Sequence, residues 1–150
     1  MLEHESILVF GESAVSFFPQ KQERTESGKQ MIRAGIKSKA SKGEDVYGGL
    51  NQGYYNGAND PEMRFPSSVQ NFNRERGLHP TQKPLALLEY LVRTYTNEGD
   101  TVLDFTMGSG TALVASVATG RRCVGIEKER EYCDIAIKRL ESGIQLEGIR

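Results

Sequence analysis

At 150 residues the chain is long enough for one ordinary domain with a core of its own. Its 37% hydrophobic and 26% charged residues, with a net charge of −1, are unremarkable for a soluble globular protein. No apolar run is long enough to span a bilayer, and the start, Met1-Leu2-Glu3-His4-Glu5, lacks a signal-peptide layout, so a cytoplasmic location is expected.

In chain order, Ile7-Leu8-Val9-Phe10 predicts a buried strand within Glu5 to Gly11, and Val15 to Phe18 a shorter one, with Gly11 to Ala14 as the hairpin connection. Residues 21–42 then carry seven bases (Lys21, Arg24, Lys29, Arg33, Lys37, Lys39, Lys42) against Glu23 and Glu26. A basic block inside a neutral chain suits contact with phosphates. It leads into a stretch rich in Gly and Asn with Tyr47, Tyr54 and Tyr55 interleaved, where apolar periodicity is nearly absent. Residues 21–60 therefore read as a surface segment without a packed core, either a solvated long loop or disordered insert, or a DNA-contacting segment.

Asn59-Asp60-Pro61-Glu62 reads as a turn. Leu85, Leu87, Leu88, Leu91 and Val92 recur at helical spacing, with Thr81 as the expected cap and Asn97 to Asp100 as the exit turn. Thr101 to Asp104 is a short strand ending in a carboxylate, followed by Phe105-Thr106-Met107-Gly108-Ser109-Gly110-Thr111 and a helix stopped by Gly120. Arg122 to Glu127 is a second strand, and Tyr132, Ile135, Ala136 and Leu140 mark a last helix expected to stop at Gly143. Cys123 and Cys133 read as buried free thiols; with only two histidines, no metal centre is expected.

Strand, glycine turn, helix, strand and acid in that order form a nucleoside-type pocket at the carboxyl end of a sheet. A lone Gly-x-Gly is weak evidence, but its flanks strengthen it. His79-Pro-Thr-Gln-Lys-Pro84, Asp104-Phe-Thr-Met-Gly-Ser-Gly-Thr111 and Gly125-Ile-Glu127 together resemble the DNA amino-methyltransferases, which make N6-methyladenine or N4-methylcytosine from S-adenosylmethionine. The likeness is to bacterial and phage members whose target-recognition segment precedes the cofactor motifs, and it extends to His4–Gln20.

The resemblance implies an α/β, Rossmann-like methyltransferase fold, with a strand pair over 1–20, a target-recognition segment over 21–76 and a cofactor-binding part over 77–150. It places S-adenosylmethionine against Thr81, Lys83, Asp104, Phe105, Thr106, Gly108, Ser109, Gly110, Thr111 and Glu127. Lys83 would pair with the methionine carboxylate, Asp104 would lie near its amino group, and Glu127 would hold the ribose hydroxyls. Lys29, Arg33, Lys37, Lys39 and Lys42 would meet double-stranded DNA. Adenine N6 is the favoured target.

Two departures qualify the resemblance. Many members carry Pro-Phe after the Asp where this chain has Phe105-Thr106, which shifts the aromatic by one position. The family's Asp/Asn/Ser-Pro-Pro-aromatic catalytic loop is also missing; Asn59 to Glu62 lacks both the second proline and the aromatic. That loop grips the amino group of a flipped base, so no catalytic residue is assigned. In this motif order the loop precedes His4, so the sheet is expected to be incomplete, without its central strands. The alternatives are the cofactor half of a split enzyme, completed by a second polypeptide, or an inactive remnant that binds S-adenosylmethionine or DNA. A nicotinamide dinucleotide enzyme shares the strand–glycine–helix–acid logic but gives the His79 motif no role.

Overall fold

The computed structural model describes residues 5–34, 60–75 and 77–147. The chain divides into two compact units, Pro19–Gln70 and Met1–Phe18 with Asn71–Arg150.

The Pro19–Gln70 unit contains β1 (Gln22–Glu23), α1 (Glu26–Arg33) and β2 (Met63–Arg64). The strands are antiparallel, Gln22 opposite Arg64 and Glu23 opposite Met63. Thr25 caps α1, its Oγ1 accepting from the Gly28 amide at 3.3 Å. None of α1's residues is buried. Charge holds it instead: Lys29 Nζ lies 3.0 Å from Glu26 and 3.2 Å from Glu62, and Arg33 lies 2.5 Å from Glu62. Arg33, and then Lys29, hold the Glu62 carboxyl below the usual glutamate range.

The sequence reading gave this stretch no regular element. The short helix escaped it because capping and ion pairing, which leave no apolar periodicity, define it. The expected turn at Asp60 is present, its Oδ1 accepting from the amides of Glu62 (3.0 Å) and Met63 (3.1 Å). The Gly- and Asn-rich stretch, with Lys37, Lys39 and Lys42, lies outside the described residues.

The other unit is a parallel α/β arrangement: α2 (Leu85–Tyr95), β3 (Thr101–Asp104), α3 (Thr111–Ala118), β4 (Arg122–Gly125) and α4 (Arg130–Glu147). β3 and β4 pair in register from Thr101–Arg122 to Asp104–Gly125, with α3 as the crossover. Its packing is built from small residues. Ala112, Ala115, Ser116 and Ala136 are buried where α3 meets its neighbours, which lets the helices approach closely. The Ser116 and Thr119 hydroxyls donate back to the carbonyls of Ala112 (2.7 Å) and Ala115 (2.8 Å), so their burial leaves no donor unpaired.

Four expectations are corrected here. Ile7–Phe10 and Val15–Phe18 form no strand and are exposed, Phe10 to 84%. An apolar run signals a tendency to be buried, but a strand exists only with a ladder partner, and among the described residues none pairs with this stretch. Its backbone tie is the Phe18 amide, which donates to the Thr94 carbonyl at 2.7 Å.

Thr81 does not cap α2. The Leu85 amide donates to Glu75 Oε1 at 3.0 Å, so a carboxylate ten residues upstream takes that place. Gly143 does not end α4, which runs on to Glu147. One glycine costs a helix only about 1 kcal/mol, too little to stop it. Nothing lies within 4 Å of a Cβ placed on Gly143. Gly143→Ala should therefore raise stability by about 0.5–1 kcal/mol in thermal melts; a lowered midpoint would contradict the helix there. Cys123 and Cys133 are free thiols, half-buried rather than buried.

Candidate cofactor site

The site is built where β3 and β4 end. Asp104 leaves the sheet and accepts the Thr106 amide on Oδ1 at 3.0 Å, which turns the chain sharply. The Met107 amide then donates to the Ile126 carbonyl (3.1 Å) and the Gly110 amide to the Met107 carbonyl (2.8 Å). Gly110, at φ +77°, is the left-handed residue that starts α3.

Glu127 lies just past β4 and faces this turn. Its Oε2 accepts from the Gly108 amide at 2.9 Å, and its Oε1 from the amides of Lys128 (2.7 Å) and Glu129 (3.0 Å). The Glu129 amide, then those of Lys128 and Gly108, hold its carboxyl below the ordinary value of 4.5, with the charge of nearby His79 adding to the effect. A carboxylate with a depressed folded pKa contributes stability above its unfolded value and loses it as pH falls through the folded one. The component of the Gly108 amide resonance that reports Glu127 should therefore titrate with a midpoint below 4.5. A midpoint at or above that value would deny the contact.

The amides of Thr106, Met107, Gly108 and Gly110 are thus taken within the loop and its strands. A pyrophosphate-binding turn needs such amides pointing at the ligand. With two carboxylates beside it, this loop suits a ligand bearing cationic groups and hydroxyls.

Several contacts here were not legible in the sequence. The His79 ring lies 3.2–3.3 Å from where a Cβ on Gly108 would sit, so a side chain there would have to push the ring back by a few tenths of an ångström, at a φ of +51° that L residues rarely adopt. His79 in turn packs edge-on against Tyr132 of α4, with centroids 4.4 Å apart. The Thr81 amide donates to His79 Nδ1 at 3.2 Å, which puts the proton of the neutral ring on Nε2. Arg139 of α4 donates from Nη1 to the Ser109 carbonyl at 2.7 Å and lies 3.1 Å from Thr111 Oγ1. Desolvation of its half-buried guanidinium pushes its pKa down. The one sequence signal was a base recurring on the apolar stripe of the last helix, seven residues after Tyr132.

Asp104, Thr106, Gly108, Ser109, Gly110, Thr111 and Glu127 are thus brought together, with Thr81 joined through His79. The Ser109 hydroxyl, 2% exposed with its residue, and that of Thr111 face Arg139. Phe105 is 71% exposed. Lys83 is engaged elsewhere, its Nζ 2.7 and 2.8 Å from the two carboxylate oxygens of Glu5. Lys29 and Arg33 belong to the other unit and are paired there.

Comparison with known proteins adds three likenesses and a family. The chain is 53% identical over 66 residues to the type II methyltransferase M2.DpnII of Streptococcus pneumoniae, covering 44% of this chain and 25% of that enzyme. It is 40% identical over 85 residues to the DNA adenine methyltransferase YhdJ of Escherichia coli K12, covering 53% and 29%. The solved structure of an M1.HpyAVI–SAM complex aligns at 41% identity over 50% of this chain and 42% of that one, with a TM-score of 0.42. The chain therefore spans between a quarter and a third of the curated relatives named here. The model of the N6/N4 methyltransferase family, described as DNA methylase, matches residues 2–138. With the strand-end acids and the glycine turn between them in place, the chain belongs to the DNA methylase family of N6 and N4 methyltransferases.

Proposed function

We propose that this chain holds the methyl donor of a site-specific DNA amino-methyltransferase, with S-adenosylmethionine seated at the carboxyl ends of β3 and β4. The observation that carries this reading is the pairing of Asp104 and Glu127 across a glycine turn whose own amides are already bonded. When bound, S-adenosylmethionine supplies an activated methyl group on a sulfonium.

The chain's residues bind and orient it. Asp104 keeps Oδ1 on the Thr106 amide, so Oδ2 is the oxygen offered to the donor's ammonium. Glu127 has about four acceptor positions and uses three on backbone amides, so ribose hydroxyls take the fourth or compete with the Gly108 amide. Phe105, exposed beside Asp104, offers an aromatic surface to the adenine or methionine part. Lys83 reaches the donor's carboxylate by leaving Glu5; both ends of that pair are solvent-exposed, so the exchange costs little.

Double-stranded DNA is the proposed second ligand, met by the basic block. Lys29 and Arg33 would trade Glu26 and Glu62 for phosphates, and Lys37, Lys39 and Lys42 would join them. Adenine N6 is the proposed acceptor, supported by the 40% identity to an adenine methyltransferase. Gripping that amine is assigned to no residue here, since the sequence contains no Pro-Pro pair. The test is transfer of radiolabelled methyl to duplexes carrying only adenine or only cytosine targets. Donor binding without transfer by the chain alone is expected; absence of donor binding would overturn the donor-holding reading, transfer by the chain alone would show that its own residues also grip the amine, and a cytosine-only product would overturn the adenine assignment.

A further inference from the structure

Helix α4 meets the glycine turn at three successive heights. Tyr132 backs the His79 ring that covers Gly108. Ala136, fully buried, sits against Gly110, so closely that a Cβ there would come within 2.6 Å of its own. Arg139 reaches the Ser109 carbonyl at 2.7 Å, the Ser109 hydroxyl at 3.3 Å and the Thr111 hydroxyl at 3.1 Å, all from Nη1. Positions four and seven residues after Tyr132 fall on one helix face, so a single stripe of α4 backs the whole turn.

Two of these contacts are apolar and one is charged. Tyr132 and Ala136 limit how far the turn can move toward α4. Only Arg139 pulls on it. Ser109 and Thr111 are nearly buried, so their hydroxyls need partners inside the protein, and a charged donor gives a stronger bond than a neutral one. The loop's internal bonds leave Ser109 between Gly108, tied to Glu127, and Gly110, tied to Met107. Arg139 fixes the peptide in that gap.

We propose that Arg139 is a positioning residue that holds Ser109 to Thr111, from α4, in the shape that admits the methyl donor. It touches no donor atom and acts through the turn. The proposal rests on the donor-binding reading of this loop, and its first test is made without the donor.

Amide hydrogen exchange of the full chain is compared for wild type, Arg139→Ala, Arg139→Lys, Arg139→Met and Thr111→Val. Arg139→Ala should speed exchange at residues 108–111 by about tenfold while β4 keeps its protection. Calorimetric affinity for S-adenosylmethionine should fall by about tenfold in Arg139→Ala and recover to within about threefold in Arg139→Lys, which keeps a charged donor on a shorter stem. Unchanged exchange in the turn would overturn the proposal. So would acceleration spread evenly over α3, β4 and α4, or an affinity that Arg139→Lys does not restore. Should Arg139→Ala fail to fold, Arg139→Met decides, with Thr111→Val as the milder variant: Arg139→Met keeps the apolar stem and removes the donor to all three acceptors, so faster exchange at 108–111 supports the latch and no change rejects it. If wild type does not bind S-adenosylmethionine, the functional reading fails while the exchange result still decides the latch.

Discussion

Gly110→Ala should lower stability by about 2–5 kcal/mol, and with it the melting midpoint by roughly 10 °C. Two costs add. The residue sits at φ +77°, where an L side chain is strained by about 1–2 kcal/mol. The new methyl would also lie 2.6 Å from Ala136 Cβ and 3.3 Å from its Cα. Ala136 is fully buried on α4 and has no rotamer with which to retreat, so helix or turn must shift, at a further cost of about 1–3 kcal/mol.

Gly99→Ala is the control. Its φ of +82° brings the same strain, but nothing lies within 4 Å of the new Cβ, so about 1–2 kcal/mol is expected. Denaturant melts of both variants separate strain from packing. Equal losses would mean that α4 does not press on the turn.

Glu127→Ala should have the largest effect on the site's function. It frees the Gly108, Lys128 and Glu129 amides together and removes the proposed anchor for the ribose. Loss of a charged hydrogen bond costs about 1–3 kcal/mol, so affinity for S-adenosylmethionine should weaken by about 5- to 150-fold. Amide exchange at Gly108 should accelerate in the same variant even without ligand. Fast exchange with unchanged affinity would make Glu127 a brace for the loop and nothing more; weakened affinity with an undisturbed Gly108 amide would make it a ligand contact alone.

How much of this was legible in the sequence depended on how local each signal was. β3, α3 and β4 announce themselves within a few residues: an apolar strand, an acid, a glycine turn, a helix closed by Gly120. The placing of Asp104 and Glu127 beside one turn was legible because strand ends in a parallel pair converge, whatever the surrounding packing. Ile7–Phe10 failed for the opposite reason, since a strand depends on a partner that its own residues do not specify.

Exposed apolar side chains on the sheet tell the same story. Leu103, 57% exposed, and Val124, 49%, lie on the face away from Val102 and Cys123, though the consecutive apolar pairs Val102-Leu103 and Cys123-Val124 are those of strands covered on both faces. Glu75 capping α2 and Arg139 gripping the turn join residues 10 and 28–30 positions apart. No spacing rule encodes such pairs, and only the folded chain brings them together. Thr81 and Gly143 were misread because good capping and stopping residues are common, and a stronger local or tertiary contact overrides them.

The site's meaning rests on one claim, that the carboxyl ends of β3 and β4 hold S-adenosylmethionine. Calorimetric titration of the wild-type chain and of Asp104→Ala tests it most directly. Saturable one-site binding by wild type, weakened by about 5- to 150-fold in Asp104→Ala, is the predicted result. Absence of binding by a folded wild-type chain, or equal affinity in the two proteins, would contradict it.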